Sequence, residues 1–392
     1  MISVTEAKEI IDKNVGLLQP EVLRLQETGG LVLASNVYAK TDIPSFPQSS
    51  MDGYAFLFGE KDIRLTIQHK IAAGDTKHYS ILSKEAARIF TGAPLPQGAD
   101  TVVMQEKVNI EDGKIIILNN ELQKGNNVRA KGSEIKSGEL ALAKQTLLTA
   151  PALGFLAGIG IDRILIFPAP KVSIIITGNE LQQPGKPLEF GQVYESNFIS
   201  LSTALKHAGI NDVTVLYVKD ELHFVQSALK NALNKSDLVL LTGGISVGDY
   251  DFVLTAAEQC GIEKHFHKIK QKPGKPLYFG TKNKKPVFGL PGNPASVLTC
   301  FYEYVLPSVE KMMQKKKSVE IVKATLENDY TKKAGFTHFL KAFYENGKVA
   351  ILPAQASFQL KSFAMANCFI VIDEETEIVK QGMTVEVHLL PK

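Results

Sequence analysis

The sequence contains no tryptophan, and its aromatic residues are 20 phenylalanines and 11 tyrosines. Cysteine is also scarce. Cys260, Cys300 and Cys368 lie far apart, form no CxxC pair and are odd in number, which argues against a disulfide framework. We expect three buried thiols with apolar character, as fits a reducing cytoplasmic setting.

Long apolar runs are missing as well. The longest, at residues 147–161, is broken by Pro151 and three glycines and falls short of a membrane span. The first 15 residues carry acids where a signal peptide would be basic. These features predict a soluble cytoplasmic protein with no membrane partner.

A strong excess of one charge is absent too. The 44 lysines and arginines stand against 41 aspartates and glutamates, so the net charge of +3 indicates no nucleic-acid partner. With 44% hydrophobic and 22% charged residues the chain has a globular composition, and 392 residues suffice for two to four domains.

The first 168 residues mix helical and β patterns. Ser3 and Glu6 form a capping-box pair before apolar residues at helical spacing, and residues 20–27 fit a second short helix. From residue 38 to 145, short β-rich runs alternate with turn residues, which predicts a small barrel or curled sheet. Residues 147–161 predict another helix, and residues 167–171 a linker.

Strand and helix patterns alternate from residue 172 to residue 313. Strands are predicted at 172–176, 213–218, 238–241 and 287–290, and helices at 197–207 (with Asn197 as its cap), 222–233, 250–259 and 294–313. The alternation predicts a three-layer α/β domain with a mostly parallel sheet. After a lysine cluster at 315–317, interpreted as a solvated helix end, five strand-like runs predict a small all-β domain.

Three glycine-bearing turns follow strands of the predicted sheet. They are TGNE at 177–180, TGGISVGDYD at 242–251 and PGNPAS at 291–296. Ligands bind at the carboxyl ends of parallel strands, where glycines allow close approach and helix starts attract anions. Each turn alone is more typical of a tight βα connection, but together they favour a site for phosphate or an oxyanion such as molybdate. Walker and HExxH motifs are absent.

Charged residues accompany these turns. Lys268, Lys270, Lys272 and Lys275 alternate in HKIKQKPGKP and could face one cleft to bind phosphates, although an exposed edge strand explains the alternation equally well. Glu180 and Asp251 are candidate Mg²⁺ ligands, with a helix-terminal carboxylate as the alternative interpretation.

The order of the motifs along the chain is similar to that of a known protein family. SSMDGYA, RIFTGAPLPQGADTVVMQE, KGSEIKSGE, TGNEL, TGGISVGDYD, KPGKP and LPGNPAS together closely resemble the molybdopterin molybdenumtransferase family, which includes bacterial MoeA and the E domains of gephyrin and its plant counterpart. The resemblance spans nearly the whole chain, although the C-terminal part lacks a sharp motif. It implies insertion of molybdenum from molybdate into adenylylated molybdopterin, with release of AMP and a requirement for Mg²⁺.

The resemblance also implies an organisation. It implies a homodimer of four-domain subunits, with a helical linker domain at 1–37 and 134–168, a β-rich domain at 38–133, an α/β molybdopterin-binding domain at 169–315 and a C-terminal β-barrel at 318–392. The cleft would lie between the α/β domain of one subunit and the β-rich domain of the other. The molybdopterin adenylyltransferase is implied as a partner.

Residue roles follow from the resemblance in the same way. It implies catalytic roles for Asp52, Glu180, Asp251, Lys268 and Lys272, and metal binding by Glu180, Asp220 and Asp251. The implied cofactor-binding residues are Thr91, Thr177, Gly178, Gly243, Gly244, Ser246, Gly248, Lys275, Pro291, Gly292, Asn293, Pro294 and Ser296. The chain departs from the family pattern at Asn179 and Glu134, where the family often has aspartate.

Two other functions compete with molybdenum insertion. A non-catalytic molybdopterin-binding scaffold is disfavoured by the acids and lysines that the chain retains. A pterin adenylyltransferase, whose family resembles the α/β domain, is disfavoured by the additional SSMDGYA segment and the C-terminal domain.

Overall fold

Buried strands and short turns dominate the computed structural model, which describes residues 1–245 and 252–391. The chain divides into two compact units. The larger unit consists of Met1–Val22, Gly30–Ala34 and Leu165–Lys392, and the smaller unit consists of Leu23–Gly29 and Ser35–Ile164.

The helices and strands follow in chain order. Up to residue 167 they are α1 (Val4–Asn14), β1 (Glu21–Arg24), β2 (Val32–Leu33), β3 (Val37–Tyr38), β4 (Gln48–Ser49), β5 (Gly53–Phe56), β6 (Leu65–Ile71), β7 (Glu85–Ile89), β8 (Thr101–Met104), β9 (Val108–Glu111), β10 (Lys114–Ile117), β11 (Val128–Arg129), β12 (Leu140–Leu142), α2 (Ala150–Gly158) and β13 (Arg163–Phe167).

The second half of the chain continues the series. Its elements are β14 (Val172–Thr177), β15 (Leu181–Gln182), β16 (Val193–Tyr194), α3 (Asn197–His207), β17 (Val213–Val218), α4 (Leu222–Lys235), β18 (Leu238–Thr242), α5 (Phe252–Gln259), β19 (Glu263–His267), β20 (Gln271–Lys272), β21 (Tyr278–Lys282), β22 (Lys285–Leu290), α6 (Pro294–Cys300), α7 (Leu306–Met312), β23 (Glu320–Leu326), β24 (Tyr330–Thr331), β25 (Thr337–Glu345), β26 (Lys348–Ile351), β27 (Cys368–Ile372), β28 (Ile378–Val379) and β29 (Thr384–Leu389).

The prediction of a helix at residues 20–27 is wrong. This segment forms strand β1 and a single 3₁₀ turn, Leu25–Glu27. Leu25 is the only one of these residues that is buried, so the segment has no apolar stripe on which a helix could pack. The helix predicted at the N-terminus is α1, in which Ser3 and Glu6 form the expected capping box.

The smaller unit is built on a six-stranded sheet. Its strand order is β8-β5-β7-β6-β10-β9, and β6 and β7 form its only parallel pair. Both faces are covered, since Tyr54 and Phe56 of β5 enter one apolar cluster while Ala55 between them enters another. The β-rich character predicted for this part of the chain is confirmed.

A six-stranded mostly parallel sheet forms the centre of the larger unit. Its order is β17-β14-β18-β22-β21-β19; the first four strands run parallel, β21 pairs antiparallel with β22, and β19 pairs antiparallel with β21. All residues of β14 and β18 are buried, which explains why both strands are mostly apolar. Helices α4 and α5 pack on one face of the sheet in a shared apolar cluster.

Two helix predictions are corrected in detail. The N-cap of α3 is Ser196, and Asn197 is the first helical residue, whose side-chain Nδ2 donates to Gly292 O at 2.9 Å. The predicted long helix at 294–313 consists of α6 and α7 joined by a π-helical segment, Phe301–Val305.

The C-terminal strands close into a barrel. Pairings run β25–β26, β26–β23, β23–β29, β29–β27 and β27–β25, so the ring of five strands has no free edge. An apolar cluster that includes Leu340, Ile370 and Val387 fills it. The predicted fold class, β-rich N-terminal part, central α/β domain and C-terminal barrel, is confirmed.

Several smaller expectations can be compared with the structure. All three cysteines are free and buried, as expected. The lysine cluster is not wholly solvated, because Lys315 Nζ donates to Ala208 O at 2.9 Å and burial lowers the pKa of this lysine. Within residues 1–245 and 252–391, no helix is both long enough and apolar enough to cross a membrane.

Candidate functional site

The site begins where β14 ends. Thr177 is buried, and its Oγ1 donates to Thr242 O at 3.4 Å, which ties the end of β14 to the end of β18. Gly178 follows with a φ of 148°, and Glu180 is exposed beyond it. The parallel register of Ile176 with Thr242 brings the turns after both strands to the same sheet edge, as the sequence predicted.

The second turn passes very close to the first. Gly243 has a φ of 86°, and a Cβ built on it would lie 2.3 Å from Thr177 O. Glycine is therefore required here both by the backbone conformation and by the lack of space. Of the cofactor-binding residues predicted in this turn, Gly243 and Gly244 line the cavity, whereas Ser246, Gly248 and the acid Asp251 lie outside the described residues.

Asp220 follows β17 at the same edge. Its Oδ1 is buried and has no hydrogen-bond partner among the residues that the structure describes. Burial raises the pKa of Asp220, and the negative charge of Glu180 raises it further. A buried carboxylate oxygen without a partner, next to a second carboxylate, suits a hard divalent cation such as Mg²⁺.

Few described residues besides Asp220 could bind the expected Mg²⁺. Across the described parts of the chain, no group of three or more His, Cys, Asp or Glu side chains is arranged to hold a metal ion. Glu180 and Asp220 could supply two oxygen ligands, a set that would fit Mg²⁺ because that ion is commonly bound through one or two carboxylates together with substrate phosphates.

The basic segment contributes two of its four lysines to the cavity. Lys272 and Lys275 are exposed and line it. Lys270 instead forms an ion pair with Glu374, and Lys268 is not among the lining residues. The expectation that the lysines could face one cleft therefore holds for Lys272 and Lys275 only, and the φ of 79° at Lys268 interrupts the extended backbone before them.

Gln271 holds the turn that carries these lysines. Its buried Nε2 donates to Pro273 O at 3.0 Å and to Gly274 O at 3.3 Å, while its Oε1 accepts from the Tyr304 hydroxyl. Sequence reasoning missed Gln271, which carried no signal beyond its position among the lysines. The strand that contains it, β20, pairs in parallel with β25 of the barrel.

The third glycine-bearing turn follows β22. Gly292 O accepts from Asn197 Nδ2, and Asn293 Nδ2 donates to Ser357 Oγ at 2.9 Å. These bonds attach the turn to α3 on one side and to the barrel on the other. The predicted residues of this turn all line the cavity: Pro291, Gly292, Asn293, Pro294 and Ser296.

These segments enclose a cavity of about 1050 Å³ within the larger unit. Thr177, Gly178, Glu180 and Asp220 line it together with the lysines and glycines described above. Sequence reasoning missed a second set of lining residues, which are Tyr194, Gln271, Gln355, Ala356, Ser357 and Phe358. The cavity combines ammonium groups, close backbone approaches and two carboxylates, so it can bind a phosphorylated ligand together with a divalent cation.

Asp52 and Thr91 belong to the smaller unit. Asp52 Oδ1 accepts from both the amide and the hydroxyl of Thr91, each at 2.8 Å. These hydrogen bonds hold the pKa of the Asp52 carboxyl below its usual value, with a smaller contribution from the charge of Arg88. Arg88, which the sequence reasoning did not single out, donates to Gly53 O at 2.8 Å.

Comparison with known proteins agrees with the fold and the site described above. The family model of the MoeA N-terminal region (domain I and II) matches residues 2–160, that of a probable molybdopterin binding domain matches residues 173–311, and that of the MoeA C-terminal region (domain IV) matches residues 323–390. The three models cover most of the chain in this order.

Individual relatives extend over nearly the full length. The molybdopterin molybdenumtransferase of Haemophilus influenzae is 36% identical over 389 residues, covering 95% of each chain. That of a Nostoc species is 32% identical over 390 residues, covering 95% of this chain and 89% of the relative. A crystal structure of the molybdopterin biosynthesis MoeA protein from Pyrococcus horikoshii has a TM-score of 0.83 at 29% identity and covers 99% of both chains. The chain belongs to the molybdopterin molybdenumtransferase family, a family of enzymes in molybdenum cofactor biosynthesis.

Proposed function

We propose that this protein inserts molybdenum from molybdate into adenylylated molybdopterin and releases AMP, with Mg²⁺ required. The observation that carries the proposal is the cavity in which Lys272 and Lys275, the glycine turns and the carboxylates of Glu180 and Asp220 converge. Its volume of about 1050 Å³ is at the upper end of the range for small-molecule sites, as suits a substrate made of a pterin and a nucleotide.

The chain's own residues would act mainly by binding and positioning. The ammonium groups of Lys272 and Lys275 would bind the phosphates and molybdate, and the turn at Gly243 and Gly244 lets the backbone approach them closely. Because the lysines are exposed to the cavity and the turns are held by hydrogen bonds, little reorganisation is needed when the anions bind.

Glu180 and Asp220, with Asp251, are the residues that would hold Mg²⁺. When bound, this ion would polarise the phosphoryl oxygens and neutralise their charge. Among the described residues Asp220 Oδ1 is buried without a hydrogen-bond partner, and burial together with the charge of Glu180 raises the pKa of Asp220. The electrostatic interaction between the Glu180 and Asp220 carboxylates supports the proposal that they bind one cation together.

The remaining roles stay predictions. Asp52, Asp251 and Lys268 are proposed to be catalytic, and Thr91, Ser246 and Gly248 to bind the pterin substrate. We also propose a cytoplasmic homodimer with the four domains given above, in which the partner subunit completes the cleft, and transfer of substrate from the molybdopterin adenylyltransferase.

The test is a single-turnover reaction. Purified protein is incubated with adenylylated molybdopterin, Mg²⁺ and molybdate, and AMP release is followed. We expect molybdate-dependent AMP release that Glu180→Ala and Asp251→Ala abolish. Glu189→Ala is a matched control, because Glu189 is exposed and does not line the cavity.

Other results would change the proposal. Pterin binding without AMP release would favour the scaffold function, and adenylylation of molybdopterin from ATP in a parallel reaction would favour the adenylyltransferase. Normal turnover in both acid variants would remove those acids from the mechanism. Light scattering of the same preparation tests the homodimer.

A further inference from the structure

One part of the cavity wall comes from the barrel. The segment between β26 and β27 contributes Gln355, Ala356, Ser357, Phe358 and Leu360 to the lining. We call residues 354–360 the barrel loop. It contains no glycine and no proline, so its shape is set by the contacts described next.

A buried ammonium group anchors the barrel loop. Lys341 of β25 is 1% exposed, and its Nζ donates to Ala354 O at 2.7 Å, Gln359 O at 2.9 Å and Ala356 O at 3.4 Å. No carboxylate of the described residues forms an ion pair with it. Three loop carbonyls thus accept the three protons of one ammonium, which offsets the cost of burying its charge.

The backbone of Lys341 is tied to the same loop. Gln355 Oε1 accepts from Lys341 N at 3.0 Å, and Gln355 Nε2 donates to Lys341 O at 2.8 Å. The Ser362 hydroxyl donates to Ala354 O at 2.7 Å. Main chain and side chain of one barrel residue therefore fix the start of the loop.

The middle of the loop is attached to the third glycine-bearing turn. Ala295 N donates to Ser357 O at 3.1 Å, and Asn293 Nδ2 donates to Ser357 Oγ. Residue 357 is thus bonded to the cavity floor while residues 354, 356 and 359 are bonded to Lys341. The backbone of the intervening residue, Phe358, is therefore fixed from both sides.

Phe358 presents its ring to the cavity. It lines the cavity and is 65% exposed, although its neighbours on both sides are bonded. Tyr194, which is 48% exposed, is a second aromatic ring in the lining. An exposed ring on a backbone that is fixed on both sides is suited to stacking on a flat heterocycle, because no further ordering of the loop is needed on binding.

We propose that Phe358 is a specificity-determining residue, whose ring stacks on a heteroaromatic ring of the ligand. The inference rests on the proposed function, whose substrate carries two such rings, a pterin and an adenine. Stacking selects for a flat π-surface whatever its pattern of hydrogen bonds, whereas the lysines and glycine turns bind the phosphates.

The first experiment measures binding by calorimetry. The probes are AMP, neopterin and ribose 5-phosphate, the last being AMP without its base. We expect Phe358→Ala to weaken binding of AMP or of neopterin about tenfold, to leave ribose 5-phosphate unchanged, and Phe358→Tyr to restore affinity. The ring ligand that loses affinity identifies the ring that is stacked.

Several outcomes would overturn the inference. Unchanged affinity for both ring ligands in Phe358→Ala would do so, as would an equal loss for ribose 5-phosphate, which would indicate a displaced loop. If the wild-type protein still transfers molybdenum, the proposed function survives either result. A wild-type protein that binds neither ring ligand and releases no AMP would overturn both.

A second experiment uses the absence of tryptophan from the chain. Phe358→Trp places the chain's single tryptophan at the proposed stacking position, and Phe343→Trp places it at a barrel residue that is 45% exposed and does not line the cavity. We expect AMP or neopterin to quench only the first, saturably. Equal responses from the two variants, or none, would contradict stacking at Phe358.

Discussion

Nδ1 of His388 lies 2.8 Å from Oε1 of Glu303, a contact that joins the π-helical segment to the last strand of the barrel. The side chain of Glu303 is only 2% exposed, and Lys8 of α1 approaches its second oxygen at 2.6 Å. Burial alone would raise the pKa of Glu303, but the bond to His388 and the charge of Lys8 together lower it. Three distant segments therefore meet on one buried carboxylate.

Removing this carboxylate should destabilise the larger unit. Glu303→Ala leaves the His388 ring without its buried partner, and we expect the free energy of unfolding to fall by about 3 kcal/mol, as measured by urea unfolding. Lys380→Ala, which removes an exposed ion pair with Asp329, should change it by less than about 1 kcal/mol. Equal effects of the two substitutions would show that the buried contacts add no stability.

The Asp52–Thr91 pair should matter for activity rather than for folding. Asp52 is exposed, so we expect Asp52→Ala to keep the wild-type melting temperature while AMP release falls roughly 100-fold or more. Thr91→Ser keeps the hydroxyl and should stay close to wild type. Asp75→Ala removes a comparable loop carboxylate, bonded to Lys77 N and the Tyr79 hydroxyl, and should leave turnover intact. Turnover unaffected by Asp52→Ala would remove Asp52 from the reaction.

A methyl group at Gly243 should disrupt the cavity. The added Cβ would collide with Thr177 O, so we expect Gly243→Ala to weaken AMP binding at least tenfold in calorimetry. Gly347→Ala is the control for backbone conformation, since its φ is 79° but nothing lies within 4 Å of the new Cβ. It should cost about 1–2 kcal/mol of stability and leave AMP affinity unchanged. If both variants bind AMP like the wild type, the two turns do not form the ligand site.

Stability should fall in mild acid because of His338. Burial lowers the pKa of this histidine from 6.5 to about 4, and the charges of Lys332 and Lys272 contribute. Tyr330 completes its surroundings through a 2.7 Å hydrogen bond to Nδ1. The folded protein thus keeps a neutral ring at pH values where the unfolded chain binds a proton, so the free energy of unfolding decreases as the pH falls from about 6.5 to about 4.

The slope from one such group is at most about 1.4 kcal/mol per pH unit. Urea unfolding between pH 7 and 5 measures it, and His338→Gln should flatten the dependence in that interval. His78→Gln, at an exposed histidine, should leave the dependence as in the wild type. A pH dependence that His338→Gln does not alter would assign the effect to other groups.

The regular parts of the α/β domain could be predicted from sequence because their environment is uniform. All six residues of β14 are buried and four of them are apolar and β-branched, so the pattern identifies a parallel strand without knowledge of its neighbours. The turns after β14 and β18 are predictable for the same reason, since the ends of parallel strands define one edge of the sheet. Gly243 is also visible in the sequence, because a glycine directly after a predicted strand indicates a turn. The structure shows why glycine is needed there, since its φ is 86°.

The barrel loop could not be predicted in this way. Its shape depends on the burial of Lys341, and a lysine in a sequence is expected to be exposed. Gln271 is similar, because its role depends on carbonyl groups that are close only after β20 has paired with β25. At Lys268 the sequence pattern is clear but misleading, because a φ of 79° interrupts the extended backbone that the alternating lysines predict.

The pairing of β20 with β25 has a consequence for modularity. Excising residues 169–315 as a minimal domain would remove the strand that β20 pairs with, along with the barrel loop and its aromatic ring. A chimaera that exchanges the barrel for that of a relative would therefore have to exchange Gln271 and the KPGKP turn with it. The boundary at which these sequences can be recombined lies inside the α/β domain rather than at its end.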